Sequence, residues 1–409
     1  MLHDPARHET LQQLEWDERA AVRMIERIGR DTEERFSPES HWPMHPLDAD
    51  DGRMEPVFNL YYGASGVVWA LHYLRAVGAV ELKRSYREYV DTLLSLNRAS
   101  LKSYGNADAD VASYLMGDTC VLLLGYWLSP DTEKAARLDE LIAGNLDHPA
   151  RELMWGAPGT LLAALFLHQW TREPRWAELY VATARKLWSQ LLWSPEYECS
   201  YWSQDLYGYH LTCLDAVHGF VATALPIIKG RHLLDPGEWY AWEQCIVNTI
   251  RRTAQREGRL ANWPAYLYPP DGSRGPQKRL MQFCHGAPGF VICLGDLPTN
   301  DMDDLLLAGG EATWEAGPLK KGSNLCHGTG GNGYAFLKLY ERTGDQRWLA
   351  RARSFAMHGI AQTEAHAWQY GQMRYSLWTG DLGFAIYLRD CVRGAGAFPM
   401  LDTFFIEGE

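Results

Sequence analysis

Two kinds of apolar stretch alternate along the chain. The first is apolar almost all round and opens on a glycine turn: YYGASGVVWALHYL, WGAPGTLLAALFLHQW, VHGFVATALPII, CHGAPGFVICL, CHGTGGNGYAFLKLY and WTGDLGFAIYL. The second carries a charged face, with apolar residues at helical spacing, over 81–97, 174–192, 238–254 and 346–357. A helix that is apolar on every side predicts burial, and an amphipathic one predicts a place at the surface. The turns have a common form, GxxG, at Gly63–Gly66, Gly156–Gly159, Gly286–Gly289, Gly328–Gly331 and Gly380–Gly383. Two degenerate copies fall between them, Gly117 to Cys120 and Gly219 to Ala222.

The seven turns start 39 to 67 residues apart, the period of a repeated supersecondary unit. Glycine at such a turn permits positive φ and a close backbone approach. Seven pairs of one buried and one surface helix predict an all-α fold, with an inner ring sheathed by an outer ring. A linear solenoid would keep a more regular period. Ahead of the repeats, residues 9–35 predict one amphipathic helix (Leu11, Leu14, Ala21, Met24, Ile25, Ile28), and the Pro- and Asp-rich 37–57 predict an extended loop. The expected organisation is therefore 1–57 as an N-terminal helix and loop, packing on a seven-repeat body over 58–409. Of β-structure, only a short hairpin near 262–280 is expected.

Charge narrows the function. The chain has 409 residues and a formal net charge of −12, which argues against a phosphate-backbone partner. The strongest apolar run, 216–228, holds His218 and Pro226 and is too short to span a bilayer, so no membrane span is expected. The first residues, MLHDPARHETLQQLEWDERAA, lack a signal-peptide core, so the expected compartment is cytoplasmic and the eight cysteines are expected to be thiols or metal ligands.

Two glycine turns share one preceding pair, Cys284-His285-Gly286 and Cys326-His327-Gly328. Cys and His are the residues that bind zinc. Adjacent residues cannot face one ion from a regular helix, but a glycine turn can present both. The turn also opens a helix, whose positive end favours a thiolate. Neighbouring turns in a ring would bring Cys284 to Cys326. If both His285 and His327 bind, the shell closes and the site is structural. If one does, the fourth position stays open, as in catalytic zinc sites.

These motifs, FCHGAPGF, NLCHGTGGNGYAFLKLY, AVHGF and the seven turns, resemble those of the lanthionine synthetase C-like family, over residues 63–383. The closing AFPMLDTFF is similar to the tail of its eukaryotic-type members. The resemblance implies an α/α toroid of seven inner and seven outer helices, with one zinc per chain on Cys284, Cys326 and His327. It implies His218 as the catalytic imidazole, with Glu152 as an acid recurring four positions before the third turn. His285 stands where bacterial cyclases often carry Tyr, and Leu280 where they carry Arg; His285 is taken as a further catalytic candidate. The implied activity is addition of a zinc-activated thiol to dehydroalanine or dehydrobutyrine, giving a lanthionine-type thioether, with His218 protonating Cα.

The expected partner is a dehydrated peptide. No dehydratase or kinase region is present, so a separate dehydratase or kinase/lyase protein would prepare it. The CHGAPG form is closer to the eukaryotic-type branch and pulls towards glutathione as the alternative thiol, with Lys278, Arg279, Lys320 and Lys321 as basic contacts. Two rivals differ in class. A carbohydrate enzyme on a similar ring would need a carboxylate pair, and none stands out. A zinc-stabilised scaffold would bind peptide or glutathione without chemistry.

Overall fold

The computed structural model describes residues 1–49, 52, 54–103, 111–270 and 277–407. Each glycine turn opens a helix: α2 (Ala64–Ala76), α4 (Asp118–Leu128), α6 (Ala157–Thr171), α8 (Phe220–Lys229), α10 (Ala287–Leu294), α12 (Thr329–Thr343) and α14 (Asp381–Arg393). Among the described residues seven further α-helices complete the set: α1 (Glu18–Glu34), α3 (Val90–Ser103), α5 (Thr132–Gly144), α7 (Pro174–Ser189), α9 (Pro236–Thr253), α11 (Asp303–Ala316) and α13 (Gln346–Tyr370). The two classes differ in burial as their patterns predict. Every residue of α4 and of α10 is buried, whereas α9 buries one face through Trp242, Ile246, Thr249, Ile250 and Thr253. At roughly 1.5–3 kcal/mol for each large apolar side chain removed from water, the turn-opened helices supply most of the driving force.

The chain forms two compact units, 1–6 with 112–114 and 139–316, and 7–111 with 115–138 and 317–409. In the first, α6, α8 and α10 pack side by side, with α7 against α6 and α11 against α10. In the second, α12, α14, α2 and α4 follow one another in contact. There α13 lies against α12, α3 against α4, and α1 against α14. Helix α1 thus does for α14 what the other amphipathic helices do for theirs. The turns are also joined by backbone bonds. Leu153 N–H donates to the Val217 carbonyl in the first unit, and in the second Leu60 donates to Leu115, Leu325 to Trp378, and Trp378 to Tyr61.

Glycine serves these turns mainly by being small. The residue before each helix has φ between −95° and −124° except at Gly286, where it is 111°. At the second position of the motif, a Cβ on Gly289 would collide with the Phe283 carbonyl oxygen and the Ala216 methyl.

Three expectations are corrected. The N-terminal helix begins at Glu18, capped by Asp17, rather than at residue 9. Residues 8 and 9 instead pair with 317–319, and His358 accepts from Gln12 N–H while its Nε2 meets Glu9 at 2.9 Å. The helix expected over 81–97 starts at Val90, because Glu33 takes the Lys83 N–H at 3.0 Å and holds that segment extended. Finally, the described residues contain three short antiparallel hairpins, β1 (Leu192–Ser194) with β2 (Cys199–Tyr201), β3 (Gln204–Leu206) with β4 (Tyr209–Leu211), and β5 (Gln255–Glu257) with β6 (Leu260–Asn262). The expected hairpin near 262–280 is reduced to one bridge between Tyr266 and Cys213, and its centre, 271–276, lies outside the described residues.

Candidate metal centre and acid–imidazole pairs

The residue four places before the first glycine is polar in all seven turns: Asn59, Ser113, Glu152, Asp215, Gln282, Asn324 and Ser376. All seven are buried. Buried polar groups need partners, and in four turns the partner is the turn itself. Asn59 accepts from Tyr62 N–H, Glu152 from Met154 and Trp155, Asp215 from Val217 and His218, and Asn324 from His327, at 2.6–3.0 Å. In the fourth and sixth turns this device fixes the residue just before the glycine, His218 and His327; in the fifth, Gln282 and His285 are paired through their backbones instead.

In two turns the device is charged, and its carboxylate serves the next turn as well. Glu152 of the third turn meets His218 of the fourth, Oε2 to Nδ1, at 2.8 Å. Asp215 of the fourth turn lies 3.0 Å through Oδ2 from Nδ1 of His285 in the fifth. Burial alone would lower the His218 pKa. The charge and hydrogen bond of Glu152 outweigh that, helped by Asp215 and Cys284, and hold it above the ordinary imidazole value. His285 is likewise opposed by burial, but Asp215 and then Cys284 push it up to about 9. The Asp215 carboxyl is raised by burial and lowered more by His285 and His218, so it stands below the usual range. With Nδ1–H of His218 committed to Glu152, Nε2 is the nitrogen left to exchange a proton.

Sequence reasoning singled out Glu152, His218 and His285 but missed Asp215. The signal was present as the recurring polar position, which in the fourth turn is the Asp of DAVHGF.

The two CHG turns meet the other expectation. Among the described residues one group could hold a metal ion: Cys284, Cys326 and His327 offer ligand atoms that all lie within 4.8 Å of one another. Both cysteines are buried and His327 is partly so. The sulfurs are placed to accept. Tyr61 Oη donates to Cys326 Sγ at 2.7 Å, and Gln282 Nε2 donates to Cys284 Sγ at 2.9 Å. Two sulfurs and an imidazole, with donors aimed at the sulfurs, fit a soft or borderline divalent cation bound through thiolates. His285 is absent from this group and faces Asp215 instead. The remaining six cysteines are free thiols, five of them buried.

Comparison with known proteins identifies the family and the fold. The glutathione S-transferase LANCL1 of Danio rerio is 33% identical over 153 residues, 35% of this chain and 37% of that protein. LanC-like protein GCL1 of Arabidopsis thaliana is 36% identical over 94 residues, 22% of each. Both alignments span well under two thirds of the relative. A solved structure titled nisin cyclase superposes with a TM-score of 0.54, covering 91% of this chain and 99% of that one at 14% identity, a likeness of fold. That fold is an α/α toroid, and the fourteen α-helices of the described chain, seven opened by glycine turns, are its inner and outer helices. Residues 55–402 match the family described as lanthionine synthetase C-like protein, and the chain belongs to that family.

Proposed function

We propose that the protein is a zinc-dependent enzyme that adds a thiol to the dehydroalanine or dehydrobutyrine of a peptide, closing a lanthionine-type thioether ring. The observation that carries the reading is the combination of a Cys₂His ligand group with a carboxylate-held imidazole two turns earlier in sequence than Cys326 and one earlier than Cys284. Zinc, held by Cys284, Cys326 and His327, would lower the pKa of an incoming thiol so that it is ionised at neutral pH. Three protein ligands leave room for that thiol, and His285, directed to Asp215, does not close the shell.

The remaining chemistry belongs to the chain. The thiolate lone pair forms the S–Cβ bond, and the C=C electrons move towards the carbonyl. His218, charged and held by Glu152, donates its Nε2 proton to Cα. Glu152 favours the protonated imidazole, which is the form that donates. The thiol proton leaves to solvent and His218 Nε2 regains one from solvent, so the addition is neutral overall and needs no redox partner. His285, as a cation beside Asp215, would stabilise the charge that develops on the carbonyl oxygen. A dehydratase or a kinase/lyase would supply the dehydrated residue.

A second reading takes glutathione as the thiol. It has the printed name of the Danio rerio relative in its favour. Lys320 and Lys321, just before the sixth turn, would be basic contacts for the glutathione carboxylates. One experiment separates the two. A peptide holding one cysteine and one dehydroalanine is incubated with zinc-loaded protein and glutathione, then analysed by mass spectrometry. An unchanged mass that resists thiol alkylation means ring closure, as proposed. A gain of one glutathione supports the second reading. Unmodified peptide contradicts both.

A further inference from the structure

The β3–β4 hairpin closes through a two-residue turn, Tyr207-Gly208, with both residues at positive φ, 54° and 79°. This type I′ geometry selects Asn or Asp followed by Gly, because a side chain with a bulky ring is strained there. Tyrosine is thus a costly choice at this position. It is also an exposed one, at 61%. Strain kept at a defined place is a pointer to use, and here it has a neighbour that gives it one. The Tyr207 ring stands edge-on to the His218 imidazole, with centroids 5.8 Å apart. Its hydroxyl accepts from Trp155 Nε1 at 3.2 Å and donates to Met154 Sδ at 3.7 Å. Those two residues follow Glu152 in the third turn. Arg151, just before Glu152, is another non-glycine residue at positive φ, 45°. Two of the strained residues therefore border one acid–imidazole pair.

The hairpin is a fixed wall. Leu206 and Leu211 pack with Ala150 and Cys213 against Trp155 and Tyr266. Asp205 N–H donates to the Pro149 carbonyl, and Cys213 N–H to Gln204 Oε1. We infer that Tyr207 is a specificity-determining residue, an aromatic wall beside His218 against which the residue flanking the dehydroamino acid packs, favouring apolar over acidic flanks. The inference rests on reading His218 as the acid that protonates Cα. A peptide placed for that transfer has its neighbouring residue within reach of whatever touches the imidazole. The wall has an apolar face that offers a flanking carboxylate no donor, and Asp205, exposed on the same hairpin, is already engaged by His210 at 2.6 Å.

The test uses two peptides, each with one cysteine and one dehydroalanine, differing only in a Leu or an Asp flanking the dehydroalanine. The full chain is loaded with zinc. Wild type should prefer the Leu peptide by about tenfold in kcat/KM, the discrimination available to an apolar contact. Tyr207→Asn suits the turn, so it should melt no lower than wild type. It should raise KM for the Leu peptide about tenfold with kcat within about threefold, and bring the preference to within about threefold. Tyr207→Phe, which keeps the ring, should keep the preference. An unchanged preference in Tyr207→Asn, or a loss confined to kcat, overturns the inference while the proposed reaction stands. A wild type inactive on both peptides overturns the reaction and the inference together.

Discussion

At the scale of single residues, the site turns on what each carboxylate touches. Glu152 and Asp215 have no exposed surface, and a buried carboxylate survives ionised only with donors on it. Each has two backbone N–H groups and an imidazole. The account predicts different losses for different atoms. His218→Asn should retain zinc and the melting temperature and lose on the order of 10²–10⁴ in rate, as a general acid does. Unchanged turnover would make His218 a packing residue. Asp215→Asn keeps both backbone bonds but removes the charge facing His285. It should lower kcat roughly ten- to a hundredfold with zinc content unchanged. A full-rate Asp215→Asn would show that the second pair is only structural. Of these residues, Glu152 and His218 were legible through a family resemblance, but their contact was not, because 66 residues separate them. Asp215 was legible only by aligning the seven turns on their first glycine and reading back four places.

At the scale of the element, the unit is a turn that delivers a polar residue, a side chain for the site, and a buried helix. The alternation of apolar and charged stretches showed that unit directly, since period and burial follow from one pattern. Where it failed, tertiary partners overrode local pattern. Residues 9–17 have helical spacing, yet Glu9 and Gln12 are claimed by His358. The β3–β4 hairpin was missed because strands of three residues are too short to show alternation. The glycines were read as permitting both positive φ and close approach, and close approach governs most of the turns. Gly289→Ala therefore tests the unit. Its Cβ would strike a carbonyl oxygen and a methyl group, neither of which can swing away. Overpacking of this kind should cost about 1–3 kcal/mol and lower the melting temperature accordingly. A variant as stable as wild type would mean the turn has slack that the structure does not show.

At the scale of the molecule, charge and topology set the context. Among the described residues no helix is long and apolar enough to cross a membrane. Helix α1 and the C-terminal segment are built into the second unit along with the sixth and seventh turns. Helix α1 covers α14, and the closing segment is tied down by Lys338 against Asp402 at 2.9 Å and by Trp69 and Trp127, whose indole N–H groups donate to the Phe404 and Ile406 carbonyls. The repeat number and the two candidate Cys–His pairs could be read from the sequence because each recurs; the choice of His327 over His285 came from the family resemblance. How the N-terminal helix completes the set of pairs could not, since it has no glycine turn of its own. The central claim is that Cys284, Cys326 and His327 hold one zinc ion that the reaction needs. Zinc content of the purified chain, measured per mole of protein for wild type and the three single Ala variants, tests it most directly. The account predicts about one zinc in wild type, most of it lost in Cys284→Ala, Cys326→Ala and His327→Ala. A wild type that takes up no zinc, or a Cys326→Ala variant that keeps its full equivalent, would contradict it.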